Sequence, residues 1–388
     1  MIKKIEQYLI DNKDKVEAWL AEKATGKNTP IFTSIDIRNA GFKIAHVDTN
    51  LYPAGFNNLS DDASNDFASY IGEYIISNFG NVKKVLIYPE SFTRNTKYLE
   101  SLKKIEAALL ANNYEVRFGI ANIEKERLFE EFDISILPLI TKDNDALLED
   151  GFRPDVIIVN NDLTSGLPAV LRETSQPIIP SLKFGWYKRK KYMHFEAFNP
   201  LIEEFCNTAG FDPWFLSTIF TNCEDIDFRD KKGLECLASK ASEVLDKTAA
   251  KYKEHKIKST PYVFIKANMG TYGMGVMSVK HPDEILNINK KDRHSMDNVK
   301  SKVKNTSMLL QEGVPTIERF ESHSAESLAY MCGGKIIEIF SRWHEGKDMM
   351  VSLNAKGAKF VSVDHGLDGT KHFLAKLASI ATEYEHLK

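Results

Sequence analysis

The chain has 388 residues, of which 43% are hydrophobic and 27% charged, with a net charge of −3. That balance gives no electrostatic footprint for nucleic acid or an acidic membrane surface, and no apolar run approaches the ~20 residues that span a bilayer. The length accommodates two or three domains, each with its own core.

The N-terminus turns polar by Asp11-Asn12-Lys13-Asp14, so it has no signal-peptide core. Cys206, Cys223, Cys236 and Cys332 show neither C-x-x-C spacing nor paired histidines nearby, which argues against zinc and a disulfide framework. A cytoplasmic protein with reduced thiols is expected.

Ile5, Leu9, Val16 and Leu20 recur near a helical period over Ile2 to Ala24, and Thr25 to Pro30 ends the segment. Lys43 to Asn50 then alternates polar and apolar residues at strand period, and the polar set holds carboxylates, amides and a histidine. A solvated sheet edge usually carries lysine, glutamate and threonine instead. The turn residues Pro53 to Asn58 follow, so the strand delivers Asp48 and Asn50 to a loop mouth. A merely polar face is the alternative.

From Asp62 to about Ser181, the apolar runs Val85 to Tyr88, Tyr114 to Phe118, Ile134 to Leu137 and Val156 to Val159 alternate with helical patterns such as Tyr98 to Leu110. This predicts a mostly parallel, helix-flanked sheet, whose ligands gather beyond the carboxyl ends of the strands. Asn160 and Asn161 read as turn or cap residues, whereas Arg94 beside Asn95 reads as a substrate contact. Phe184 to Phe195 interleaves Lys188, Arg189, Lys190 and Lys191 with aromatics. Three readings stand: a nucleic-acid contact, a solvated loop, or a cationic loop folded over an anionic substrate and anchored by Trp186. Glu203 to Cys223 and Cys236 to His255 look helical and connect to the last third.

Val263 to Val279 is an apolar run ending at Lys266, then Gly270, Gly273 and Gly275, then a second apolar run. It predicts strand, glycine loop, strand. Glycines let a backbone close over a ligand, and the loop N–H groups with one lysine suit an anion. No Gly-Lys-Ser/Thr and no helix pattern follow, which excludes a Walker loop and a dinucleotide fingerprint. An ordinary glycine hairpin with a surface lysine is the competing reading. Met308 to Val314 is a strand containing Gln311 and Glu312. Two strands then meet at Gly333-Gly334, the second ending at Arg342. Ser352 to Gly357 leads to a strand from Lys359 to Val363 and a helical Lys371 to Leu387.

The order of these pieces resembles an ATP-grasp domain. The resemblance implies that ATP lies between two sheets. Lys266 would reach its inner phosphates, with the loop through Gly270, Thr271, Tyr272, Gly273 and Gly275 over the outer ones. Gln311, Glu312 and Val314 would sit at the adenine edge, and Arg342 and Asn354 at the transferring phosphate. Phosphoryl transfer is mostly positioning and charge neutralisation, which suits such a set. The usual acid-x-Asn metal strand is missing after Arg342, where Asp364 and Asp368 are the acids on offer. Asp48-Thr49-Asn50 has that form instead and resembles the early metal strand of the circularly permuted, eukaryotic-type glutathione synthetases. Asp48 and Asn50 would thus hold Mg²⁺, a hard cation that takes oxygen ligands.

Asp36 to Lys43, Asp48 to Asn58, Thr93 to Asn95, Asn160 to Asp162 and Ile265 to Met277 together resemble the minor proteobacterial type of glutamate–cysteine ligase. This implies an α/β (α+β) chain: a substrate and metal-strand domain over residues 1–183 with a mostly parallel, helix-flanked sheet, a basic loop and helical connector over 184–258, and an ATP-grasp region over 259–388. It implies ATP-dependent joining of L-glutamate to L-cysteine through an acyl phosphate. Arg38, Lys43, Arg94, Asn95 and Arg189 are candidates for the substrates, since guanidinium matches carboxylates bidentately. The family has aspartate where this chain has Asn268, and Asp348 to Ser352 is less acidic than the family pattern. Another carboxylate–amine ligase, a non-catalytic ATP-binding protein and a phosphotransferase remain as rivals; a homo-oligomer is left open.

Overall fold

A computed structural model describes residues 1–27, 29–91, 95–270, 273–297, 304–355, 357–362 and 369–385. Among the described residues, three sheets carry the molecule. The first is seven-stranded, and its strands Lys84–Pro89, Glu115–Ile120, Ile134–Lys142 and Val156–Asn160 are parallel neighbours. Val156–Asn160 is buried throughout, because a parallel sheet covered on both faces needs apolar residues on both. The helices Asp61–Phe79 and Thr96–Leu110 pack against each other beside it. Ser60 caps the first by accepting from the Ala63 N–H, with Asp61 and Asp62 at its positive end.

The second sheet is antiparallel and joins distant parts of the sequence. Phe32–Asn39 pairs with Ile44–Asn50 on one side and with His323–Cys332 on the other, and Lys335–Trp343 and Lys359–Ser362 extend it. Asp36 lies opposite both Asp48 and Leu328. The expected hairpin forms at Gly333-Gly334, where φ is +55° and +79°, values that glycine adopts without strain. This sheet therefore draws on the first and the last of the three expected segments of the chain.

The third sheet runs Phe220–Cys223, Met308–Glu312, Val263–Ala267, Val276–Val279. Lys266 sits opposite Leu309 and Val276, so the strand, glycine loop and strand of the sequence reading are all formed. The helices Leu234–Glu254, Lys191–Ala209 and Gly369–Thr382 pack around the second and third sheets. No helix among the described residues is long and apolar enough to cross a membrane.

Two local expectations need correction. The N-terminal helix is two helices, Ile2–Asp11 and Lys13–Lys23, broken at Asn12, whose side chain donates back to the Tyr8 carbonyl. The segment read as helical from Glu203 ends its helix at Ala209, where Gly210 takes a left-handed conformation. Phe220–Cys223 is instead an edge strand, which its Phe-Thr-Asn-Cys composition left undecided between the two periods.

Candidate active site

Lys266 leaves a wholly buried strand and points across to the second sheet. Its Nζ donates to the Val47 carbonyl and to Gln311 Oε1, each at 2.8 Å, and Gln311 is fixed in turn by donating to Thr218 Oγ1. Burial draws the Lys266 ammonium down to about 8 against the pull of Asp48. The glycine loop closes over this lysine. Gly273 has φ +66°, and a Cβ there would lie 1.8 Å from the Asn354 carbonyl oxygen, so the loop rests directly on the Asn354 backbone. Thr271 and Tyr272 lie outside the described residues.

Asn268, the departure from the family pattern, is a clasp. It is fully buried; its Nδ2 donates to Ser307 Oγ, its Oδ1 accepts from the Tyr192 N–H, and its carbonyl accepts from the Lys191 N–H. The root of the glycine loop is thereby tied to the basic segment.

Opposite Lys266 lies an alternating array of charge. Lys191 Nζ is 2.5 Å from Asp48 Oδ1. Burial works to raise the Asp48 carboxyl, yet the ammoniums of Lys191 and Lys266 hold it well below the usual carboxylate range. Arg342 donates through Nε and Nη2 to Glu326 Oε1 and through Nη2 to Asp36. Burial pushes Asp36 up to about 6 in spite of Arg342. For Glu326 the balance tips the other way: Arg38 and Arg342 outweigh burial and lower it. Asp36 and Asp48 are cross-strand partners, and Asn50, two residues from Asp48, shares its face.

The remaining predicted residues are placed as follows. Arg38 is pinned by Glu326 and by the carbonyls of Val314 and Val351. Lys43 is buried 2.8 Å from Glu312, which also accepts from the Trp214 indole and the Ile219 N–H. Arg189 is buried in a two-pronged pair with Glu385 and donates to the Thr49 carbonyl. Both cations, and Glu312 with them, are thus committed to partners within the protein. Asn50 Oδ1 accepts from the Tyr52 N–H, and Asn95 caps its helix through the Lys97 N–H. Asn161 makes the expected turn, accepting from the Leu163 N–H. Arg94, Asp364 and Asp368 lie outside the described residues.

The basic run is neither a solvated loop nor a surface stripe, because Arg189 and Lys191 are buried. Lys191, which the sequence reading named only as part of the basic run, and Glu326, which it did not single out, both line the cleft under the glycine loop. For Lys191 the signal was available: at helical spacing it shares a buried face with His194, Phe195 and Phe198. Glu326 had no such signal, since one glutamate in an alternating strand looks like any other.

Three openings converge here. A tight cleft of about 50 Å³ under the glycine loop is lined by Lys266, Gly270, Gly273, Asp48, Lys191 and Arg342. A cavity of about 810 Å³ adjoins it, sharing Asp36, Asp48, Arg342 and Asn354 and adding Asn50, Lys97 and Lys359. Tyr52 lines it too, and its buried hydroxyl has no hydrogen-bond partner among the described residues. A third cavity, of about 920 Å³, lies over the carboxyl ends of the parallel strands. Chemically, the cleft offers ammoniums and a guanidinium to phosphate oxygens, and carboxylate and amide oxygens to a hard cation.

The family model described as "GshA: Glutamate-cysteine ligase" matches residues 6–373. Among solved structures, a candidate gamma-glutamylcysteine synthetase from Methylobacillus flagellatus KT is 33% identical, with a TM-score of 0.89 over 98% of this chain and 95% of that one. Far weaker likenesses, which add nothing to the argument, are to a glutathione synthetase-like effector from Globodera pallida (12% identity, TM-score 0.41, 93% and 84% covered) and to D-alanyl-alanine synthetase A from Vibrio cholerae O1 biovar eltor (10%, 0.39, 78% and 81%). The search of curated proteins gave no match. With a family model spanning nearly its whole length and a close structural relative at one-third identity, this chain belongs to the glutamate–cysteine ligase family.

Proposed function

We propose that the protein joins the γ-carboxylate of L-glutamate to the amine of L-cysteine at the expense of ATP, through an acyl phosphate. The observation that carries this is the convergence of Lys266, Lys191, Arg342 and the glycine loop on one cleft that opens into a larger cavity lined also by Lys97 and Lys359. A phosphoryl group crossing from ATP to a carboxylate spreads negative charge over its oxygens, and fixed cations in a water-poor cleft stabilise it without reorganising. Lys266 and the loop N–H groups hold the phosphates, and Arg342 faces the oxygens between nucleotide and carboxylate. Glutamate lies in the 810 Å³ cavity, where Lys97 and Lys359, paired near the surface with Glu100 and Glu345, are the cations on hand for its α-carboxylate.

The residues fit a divalent cation. Asp48 and Asn50 on one strand face, with Asp36 across from them, supply hard oxygen donors beside the phosphate cleft. When bound, Mg²⁺ would neutralise phosphate charge there. Lys191, paired with Asp48, places its ammonium beside the same cleft, within reach of phosphoryl oxygens. The decisive assay is mass spectrometry of the product formed from ATP, glutamate and cysteine. γ-Glutamylcysteine from the wild type and none from Lys266→Ala supports the reading; an equal rate with cysteine omitted and no dipeptide sinks it.

A further inference from the structure

Cys223 and Cys236 stand 13 positions apart in sequence, and their Sγ atoms meet in a hydrogen bond of 2.9 Å. Cys223 closes the edge strand Phe220–Cys223. Cys236 lies in the first turn of the helix Leu234–Glu254, which packs on that strand. Both are free thiols. Neither lines the phosphate cleft or the two cavities beside it, so the chemistry described so far makes no use of them.

The local fold explains the approach. After the strand, the chain turns through Asp225, Lys231 and Gly233, all at positive φ, and Asp227 pairs with Lys232 to fold the connection back on itself. Gly233 then opens the helix. Ile226, Phe228, Leu234 and Leu237 are buried in one apolar cluster with Cys223. Core packing on both sides therefore holds the two sulfurs together.

Their surroundings differ. Cys223 is 4% exposed, whereas Cys236 faces solvent. Burial and the neighbouring sulfur push the Cys223 thiol up to about 12, so it keeps its proton while Cys236 meets incoming reagents. One reachable sulfur backed by one sheltered sulfur is the arrangement that thiol–disulfide exchange requires.

We infer that Cys223 and Cys236 are a redox-active pair that exchanges with low-molecular-weight disulfides and closes a bridge between the edge strand and the helix. The inference stands apart from the ligation reading and shares no residue with it. Cys236 gives its proton to solvent, and its thiolate attacks one sulfur of the small disulfide. The small S–S bond breaks, and one small thiolate leaves and takes up a proton. Cys223 then loses its proton, its sulfur attacks Cys236 Sγ, and the second small thiol leaves. Two electrons pass from the protein pair to the small disulfide, and excess small thiol reverses the exchange.

The bridge braces the sheet without rearranging it. The sulfurs are already in contact, so closure needs only a small approach. Cys223 lies opposite Met308, which in turn lies opposite Ala267 at the root of the glycine loop. A staple at Cys223 thus secures the row of strands that carries the loop and keeps its register.

The test uses bis(2-hydroxyethyl) disulfide on the full-length protein, read by intact mass and by mass spectrometry of digests. Wild type should lose two hydrogens and yield a peptide pair joining Cys223 to Cys236, with no lasting adduct. Cys223→Ser, or Cys223→Ala if the core rejects serine, should retain the hydroxyethylthio group on Cys236. Cys236→Ser should take up nothing, since Cys206, Cys223 and Cys332 are all buried. The bridged wild type should melt several degrees above the reduced form and keep its turnover. An adduct that persists on wild-type Cys236 without a bridge overturns the inference, as does labelling of Cys223 in Cys236→Ser. A bridged form that melts no higher, or turns over more slowly than the reduced one, overturns the bracing.

Discussion

Lys191 Nζ sits 2.5 Å from Asp48 Oδ1, and the two residues come from elements 143 positions apart in the sequence. The ammonium occupies the carboxylate that would face a metal ion. A buried pair of this kind keeps the anion ionised and leaves the cation poised beside the phosphate cleft. Replacing Lys191 with methionine should lower kcat by about 100-fold, the usual loss when one stabilising charge is removed. Lys191→Arg should recover part of it. A kcat within twofold of wild type for Lys191→Met would remove Lys191 from the reaction.

The contact between Gly273 and the Asn354 carbonyl is sterically unforgiving. Gly273→Ala places a methyl where 1.8 Å is available and puts a side chain at φ +66°. The left-handed conformation alone costs roughly 1–2 kcal/mol. The loop should then stand away from Asn354, so kcat/KM for ATP is expected to fall about tenfold or more, while the melting temperature drops by only a few degrees. Steady-state kinetics at varied ATP, set beside a thermal melt, reads both.

Asp36 is expected to give the reaction an acid limb. Its carboxyl is pushed up to about 6 by burial, so it is protonated below that pH and cannot serve a cation. The expected profile of kcat/KM rises through an apparent pKa near 6 and then levels off. The stability sign is opposite to the usual carboxylate case. The folded protein holds this proton more tightly than the unfolded chain, so the group's contribution falls as pH rises from about 4 to about 6. A profile flat from pH 5 to 8 would contradict the assignment, and Asp36→Asn should lose the limb along with most of the activity.

Glu385 behaves in the ordinary way and has a structural role. Its carboxylate holds Arg189 with both oxygens and His194 Nδ1 at 2.7 Å. A carboxylate only accepts, so Nδ1 carries the proton and His194 Nε2 accepts from His46 Nε2 at 2.9 Å. Burial opposes ionisation, but Arg189 holds Glu385 down at about 2. Its stabilisation is present above about pH 4.5 and is lost as pH falls towards 2. Glu385→Gln strands a buried guanidinium and should cost about 3 kcal/mol at pH 7. Denaturant melts of both proteins should show that gap narrowing steadily as the pH is lowered from 4.5 to 2.5.

The lysine and glycine-loop part of the candidate site was legible because its chemistry is local. Lys266 and the three glycines lie within ten residues, and their spacing carries the message without any tertiary information. Asp48 and Asn50 were readable from strand period, and the Gly333-Gly334 hairpin from turn chemistry. What the sequence withheld depends on partners far along the chain. Nothing near Lys43 or Arg189 announces that Glu312 and Glu385 will claim them, so both looked like free cations. Asn268 was conspicuous only as a lost charge; its four hydrogen bonds to Ser307, Tyr192 and Lys191 could come only from the folded arrangement. The register that sets Asp36 against Asp48 is likewise a property of two strands together.

The central antiparallel sheet sets a timetable for the enzyme's birth. Strand Ile44–Asn50 leaves the ribosome early, but His323–Cys332, which completes the sheet around Phe32–Asn39, follows roughly 270 residues later. At ~10 residues per second that interval is about half a minute. Within it the nascent chain can complete its mostly parallel sheet, whose strands all lie between Lys84 and Ile179, yet it still lacks the strands that close the candidate site. The candidate site is therefore complete only once Arg342 has been made, and a chain released before then carries Asp36 without the guanidinium that faces it.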